Sequence, residues 1–488
     1  MKRWRYLLCA LLLSLSAHGT IDPTQVIVLT NSQIPEGEKI ARTLMEHRGI
    51  PSQNLISLPM PTTEAVTWEQ FSQSILNPLR ARLIESHQLT GKLNSEIDAH
   101  HRQAFVPTGS PTVKWIVTCF GVPLKINTQE LPKMLNSKTR SIQGDQASVD
   151  SELTVIANTN LDPNGAFSNP WFGKAKPEDA EVEGFVRVTR LDGPTAEIVL
   201  RNLQTTWQAE TRGLQGRAYI DLGGPYAEGD QWFKQAQELL KEASWPISLE
   251  NTPAVFTNAT RSDAPAFYLG WYREKPEGSF GEKSTVLAPG AIALHIHSFS
   301  ASTLRHPESC WTPWLIQQGA GLTFGNVHEP FLSLTTRPDL VVKGLQQGLT
   351  AGEAAWYATP FMSWQNVIIG DPFYEPFAVK LEDQMKHFRM NPDRLGAYAL
   401  LREIETIPVH LKINELSLAN QHFPCLALQL ALAQMEVEQK QPIDWPSTPP
   451  KVWHDENPGL MREAIDFLKK QGKNESADAL QALLNQPR

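Results

Sequence analysis

The sequence predicts an α/β fold: a doubly wound, mainly parallel sheet followed by an all-helical C-terminal tail. Three observations carry this. Short apolar runs such as VIVLTN (Val26–Asn31), RAYIDL (Arg217–Leu222) and AIALHI (Ala291–Ile296) alternate with segments of helical length, as in βαβ units. The alternation stops near Leu381. Beyond it, apolar residues recur at three- and four-residue spacing, the period of packed helices.

The elements follow in order. Lys2, Arg3 and Arg5 precede the apolar run Tyr6–Leu15, and small residues follow at Ala17 and Gly19. Residues 1–19 therefore read as a secretory signal peptide, with an apolar run too short for a membrane span. Cys9 lies within it, too early for lipid attachment. The expectation is an exported protein, periplasmic or extracellular, without stable membrane insertion.

Residues 20–127 form an N-terminal α/β subdomain. VIVLTN is a strand, Glu36–Ile50 a helix with Gly49 near its end, NLISLPM (Asn54–Met60) a strand, and Trp68–Ser86 a helix. Val113–Ile126 is a strand leading into a loop. Residues 128–183 are rich in Pro, Gly, Asn and Ser and read as an irregular excursion the size of a functional loop or lid.

Residues 184–380 form a second α/β subdomain. FVRVTRLDGPTAEIVLRNL reads as strand, turn and helix, with Thr195 and Glu197 where the helix dipole favours them. RAYIDLGG is a strand and Trp232–Ala243 a helix. PAVFTN (Pro253–Asn258), PAFYLGWY (Pro265–Tyr272), AIALHI and AGLTF (Ala320–Phe324) are further strands. EAAWYA is a helix, and NVIIGDPFYEPF (Asn366–Phe377) a strand with a turn. Residues 381–488 are the helical tail, read as an interaction module for a protein partner.

The formal charge of −8 over 488 residues is mild and argues against nucleic acid as a partner. The 14 Trp are assigned mainly to core packing, with sugar stacking as the alternative. Cys119, Cys310 and Cys425 remain after signal removal, too sparse and odd a set for a disulfide framework. Cys119 reads as a buried small hydrophobe, and Cys310 as a partly buried free thiol.

Reactive side chains concentrate in Gly290–Pro330. Two adjacent strands ending in small polar residues build a site at the carboxyl edge of an open sheet. On AIALHI, period two puts His295 and His297 on one face. Such a pair can begin a metal site, with His328 or Glu329 as third ligand. A pair hydrogen-bonded to nearby loops is the competing reading and is preferred, so no metal is assigned. Ser298 could act as a nucleophile with an imidazole base, oriented by Glu329 or Asp371, although no G-x-S-x-G elbow is present. Alternatively Ser298 and Ser300 cap the following helix. Arg305 could bind an anion, or pair with Glu308 or Glu329. Asn326 and Glu329 are expected in the same crevice. Trp271 is available as a stacking wall. Asp150 and Glu152, in SVDSEL, are oxygen donors suited to Ca²⁺ or simply solvated loop acids. The candidate catalytic set is thus His297, Ser298 and Glu329. The candidate ligand-binding set is His295, Ser300, Arg305, Asn326, His328, Trp271 and Asp150. The ligand is expected to be a small molecule, peptide or glycan, and no cofactor is assigned.

The ordered motifs VLTNS, VKWIVTCFGVPLKI, SVDSEL, NPWF, VTRLDGPT, AYIDLGG, GWY, GAIALHIHSFSASTLR, GLTFGNVHEPF and IIGDPFYEPF resemble an uncharacterised family of exported bacterial proteins over about Thr24–Phe377. More distantly, the chain resembles the gingipain-type cysteine peptidases, which implies a caspase-like fold. In those enzymes the catalytic histidine stands in a Gly-His-Gly turn, and its counterpart here is Gly270-Trp271-Tyr272. Their catalytic cysteine ends the next strand, where this chain has His297-Ser298. Their closing Gly-Asp-Pro turn is similar to Gly370-Asp371-Pro372. The resemblance therefore implies a peptidase-like scaffold without its Cys–His dyad, acting as a ligand-binding protein, a hydrolase of another kind or a non-catalytic peptide or glycan binder.

Overall fold

The computed structural model describes residues 21–128, 133–136 and 141–487. Residues 1–19, which read as a signal peptide in the sequence, lie outside the described residues. Ten strands form one large sheet: β1 (Val26–Asn31), β2 (Leu55–Leu58), β3 (Trp115–Cys119), β4 (Arg187–Leu191), β5 (Arg217–Asp221), β6 (Ile247–Glu250), β7 (Pro265–Trp271), β8 (Ile292–Ile296), β9 (Leu322–Asn326) and β10 (Asn366–Gly370). Their order is β6-β5-β7-β8-β9-β10-β4-β3-β1-β2.

Every neighbouring pair is parallel except β9 and β10. The sheet is thus two parallel halves of opposite direction, joined at one antiparallel seam. Across it Leu322 faces Gly370 and Asn326 faces Asn366. The carboxyl ends of β5–β9 consequently lie beside the amino end of β10.

Helices cover both faces. Tyr268 and Trp271, three residues apart on β7, point to opposite sides of the sheet. Trp271 packs on Phe233 of the helix Ala227–Glu242. Tyr268 and His295 stack on Trp311 of the helix Trp311–Gln317. Burial on both faces explains why strands such as VIVLTN and WIVTC are buried at every position and mostly apolar rather than alternating.

The helix Pro35–Arg48 begins with Pro at its first turn and ends at Gly49, whose φ of 67° suits an αL cap. Thr195 caps the helix Ala196–Arg212 by accepting from Ile198 N–H. Local chemistry fixes these ends as the sequence predicts. Three features differ. PAVFTN is not a strand, and the strand beside β5 is instead Ile247–Glu250. Residues 91–97 and 103–107 pair as an antiparallel hairpin outside the large sheet. The excursion at 128–183 is also not irregular throughout: Val149–Leu153 is a helix with every residue buried.

That helix belongs to a buried ion network. Arg190 on β4 is fully buried. It donates to both Asp150 oxygens at 2.8 and 2.6 Å, to Asp192 at 3.0 Å, and to the carbonyls of Val122 and Pro123. Thr118 adds a hydrogen bond to Asp150. A buried guanidinium requires this complete set of partners, and meeting it locks the excursion onto the sheet.

The tail packs across the amino edge of β5, β6 and β7. Arg261 pairs with Glu463 at 3.4 Å, Arg212 with Asp393 at 3.3 Å, and Tyr398 donates to Asp263. Its own core is built on Leu400, Leu416, Leu428, Leu460 and Leu468. No described helix is long and apolar enough to cross a membrane.

Replacing Arg190 with Met leaves Asp150 and Asp192 buried without their cation. The expected cost is about 3–5 kcal/mol, read as a lowered urea midpoint. A loss below 1 kcal/mol would contradict the network's structural role.

Candidate functional site

The carboxyl ends of β5, β7, β8 and β9 form the candidate site. In register, Asp221 lies level with Glu250, and Gly270 faces His295. Next to them the chain presents Tyr226, Tyr272, His297, Ser298 and Phe299.

His295 is buried and satisfied. Its Nε2 accepts from the Arg273 backbone N–H at 3.0 Å, so Nδ1 carries the proton and donates to the Tyr268 hydroxyl, also at 3.0 Å. Its ring stacks on Trp311 at 4.0 Å between centroids and 9° between planes. Gly270 makes this possible: a Cβ there would lie 2.6 Å from the Tyr268 hydroxyl and 2.9 Å from His295 Nδ1. Burial, with His297 and Arg273 nearby, pushes the imidazole well below its ordinary range. Both nitrogens are engaged, so His295 does not ligate a metal with His297. Among the described residues no three His, Cys, Asp or Glu converge on a metal position.

His297 is half-buried, and its Nδ1–H donates to the Ser298 carbonyl at 2.6 Å. Among the described residues the Ser298 hydroxyl has no hydrogen bond, so no imidazole activates it. Glu329 is exposed and accepts from Phe331 N–H at 3.1 Å rather than orienting His297. Asp371 is occupied elsewhere, by Arg48 and the Trp207 indole. The three candidate catalytic residues are neighbours without a relay.

The other candidates divide. Ser300 is buried and bonds across the ladder, accepting from Asn326 N–H at 3.2 Å. Its hydroxyl does not cap the helix Trp311–Gln317, whose N-cap is Cys310, but its backbone carbonyl accepts from the Thr312 N–H in that helix's first turn at 2.9 Å. Asn326 Oδ1 and His328 Nε2 are buried without a hydrogen-bond partner. Burial and the nearby Lys125 push His328 down to about 4, keeping it neutral at physiological pH. Arg305 pairs with Asp192 at 2.7 Å and lies over the Phe120 ring, away from Glu308 and Glu329. Asp150 belongs to the Arg190 network and is neither a loop acid nor a Ca²⁺ ligand. Trp271 is no stacking wall. It is buried, its indole donates to Asp230 at 3.1 Å, and it fills the space left by Gly224 and Gly229. Cys310 is buried and lies against Thr303 and Ser302, and burial raises its thiol.

One residue of the edge was missed from sequence. Asp221 ends β5, is buried, and neither carboxylate oxygen has a hydrogen-bond partner. Burial first, then Glu250, Asp230 and Glu277, drive its pKa up to about 8, against partial relief from Arg273. An acid at a strand's carboxyl end before Gly223-Gly224 was the signal available. What marks the residue out, its missing partner, is a tertiary property.

The accessible part of the edge is aromatic. Tyr226 and Tyr272 meet edge to face at 5.6 Å, and Tyr272 lies 5.2 Å from the His297 ring. Phe299 is 47% exposed with φ of 61°. A bulky side chain held in the left-handed region costs about 1–3 kcal/mol and is typical of binding sites.

No family model matches the chain, and no curated protein matches it.

The sign of the Asp221 effect is fixed. Its folded pKa of about 8 lies above its ordinary 3.8, so the folded state holds the proton more tightly. The penalty is absent below pH 4, grows as pH rises, and is complete above pH 8. Asp221→Asn should therefore be more stable than wild type at pH 9, with the gain vanishing near pH 4. Urea midpoints measured across that range check it, and a gain independent of pH would contradict the assignment.

Proposed function

We propose that this is an exported, non-catalytic binding protein on a caspase- or gingipain-like scaffold, holding a peptide or glycan at the carboxyl edge of β5–β9. The observation that carries the reading is the state of the two positions where the resemblance puts the peptidase dyad. Trp271 is sealed into the core by Asp230, Gly224 and Gly229, and the Ser298 hydroxyl lacks an imidazole partner among the described residues. A thiol or serine nucleophile needs an adjacent base, and neither position supplies one.

Binding has support of its own. Tyr226, Tyr272 and Phe299 offer apolar faces with polar tips or edges, suited to stacking on a peptide side chain or a sugar ring. Glu250 and Glu329 add acidity at the edge, while Glu277 is paired with Arg273 at 2.7 Å, and this favours a ligand with hydrogen-bond-donating groups. The tail covers the opposite, amino edge and leaves this one open.

Intact-mass analysis after fluorophosphonate treatment tests the reading. The mature chain should remain unlabelled, and retention on peptide or glycan arrays should fall at least about tenfold in a Tyr272→Ala, Phe299→Ala double variant. Labelling that disappears in Ser298→Ala would replace a binding protein with a serine hydrolase.

A further inference from the structure

We infer a second ligand site, for an aliphatic carboxylate, in the cavity between the amino edge of β5 and β6 and the helical tail. The cavity measures 540 Å³, within the range of small-molecule sites, about 300–1,000 Å³. Trp245 and Ile247 line the sheet side, and Leu401, Leu416, Leu430 and Met435 the tail side.

The helix Leu426–Glu438, LALQLALAQMEVE, accounts for the apolar wall. It is apolar around most of its circumference, as a helix buried on all sides would be. Leu428, Leu432 and Ala433 enter the tail core. Ala427 and Leu430 belong to that core and also border the cavity, which Ala431 and Met435, half-buried against the core, line as well. Apolar surface in a cavity of this volume is what an aliphatic chain would fill.

Arg217 supplies the polar end. Its Nε donates to Ser248 Oγ at 2.8 Å and its Nη2 to the Ile247 carbonyl at 2.9 Å. Among the described residues no carboxylate pairs with it, and Nη1 has no hydrogen bond. Arg261, on the same cavity, shows the contrast: Asp263 grips it at 2.8 and 2.7 Å, and Glu463 adds an ion pair. Arg217 is half-buried, Asp263 and Glu463 act on it without reaching ion-pair distance, and its unpaired Nη1 is left on a chamber lined by both aliphatic and polar side chains, where a carboxylate would complete its partners. The acids on the lining do not supply it. Glu463 is committed to Arg261, Glu405 pairs with Lys412 at 3.6 Å, and Glu438 is exposed. Lys241, also on the lining, adds a second cation without an ion pair among the described residues.

Isothermal titration of the mature chain with dodecanoate, and with dodecanol as uncharged control, tests the site. Dodecanoate should bind one to one and at least about tenfold more tightly than dodecanol, as a charge-assisted head-group contact requires. Arg217→Gln should remove that preference. Ala431→Phe, which fills the chamber from a half-buried helix position, should abolish binding while circular dichroism stays unchanged. The inference is overturned if dodecanoate does not saturate, if dodecanol binds equally well, or if folded Ala431→Phe still binds. None of these results bears on the carboxyl-edge site.

Discussion

The antiparallel pairing of β9 with β10 is the constraint on which the rest of the structure depends. Parallel strands on either side are each built from crossover units, but this one seam reverses the direction of the sheet. The carboxyl ends of β5–β9 are thereby placed beside the start of β10 and not beside the carboxyl ends of β1–β4. Each half then has its own edge chemistry. At β4 a buried Arg190 is neutralised by Asp150 and Asp192, which closes the region structurally. At β5–β9 the edge keeps exposed aromatic rings and an unpartnered acid.

The electrostatics of that second edge favour groups held neutral. His295 is kept uncharged by burial, and each of its nitrogens has one partner. Asp221 is held protonated to about pH 8 by burial beside other acids. His328 stays neutral to about pH 4. Catalysis by proton transfer near neutral pH needs a group poised to change charge within reach of a nucleophile; Asp221 has such a pKa, but neither of its oxygens is hydrogen-bonded to one. The half-buried His297 is the remaining imidazole, and its Nδ1–H is spent on a backbone carbonyl. The same features serve binding well, because neutral, fixed hydrogen-bonding groups need no reorganisation when a ligand arrives.

Much of this was legible in the sequence. Apolar runs, the glycine at position 49 and the Thr195 cap mark strands and helix ends, because local chemistry decides them. The switch to helical spacing after Leu381 is equally local. What the sequence hides is relational. AGLTF and NVIIG look alike whichever way they pair, so the seam could not be read. SVDSEL sits among loop-forming residues, and only the distant Arg190 makes Asp150 a buried partner. Trp271 ends a strand like an accessible residue, yet Gly224 and Gly229, remote in sequence, open the space that takes it in. His295, His297 and Ser298 do lie together, but His295 is held by Tyr268 and the Arg273 N–H, Glu329 accepts from the Phe331 N–H, and His297 reaches the Ser298 carbonyl rather than its hydroxyl.

The central claim is that His295 is a fixed structural imidazole and not a base or a ligand. Nitrogen-15 NMR of the histidine-labelled protein tests it most directly. The expected result is a neutral, Nδ1-protonated ring for His295 that stays unchanged through the range in which an ordinary imidazole titrates. Titration of that ring near its ordinary value of 6.5, or a proton on Nε2, would contradict it and return His295 to the chemistry of the edge.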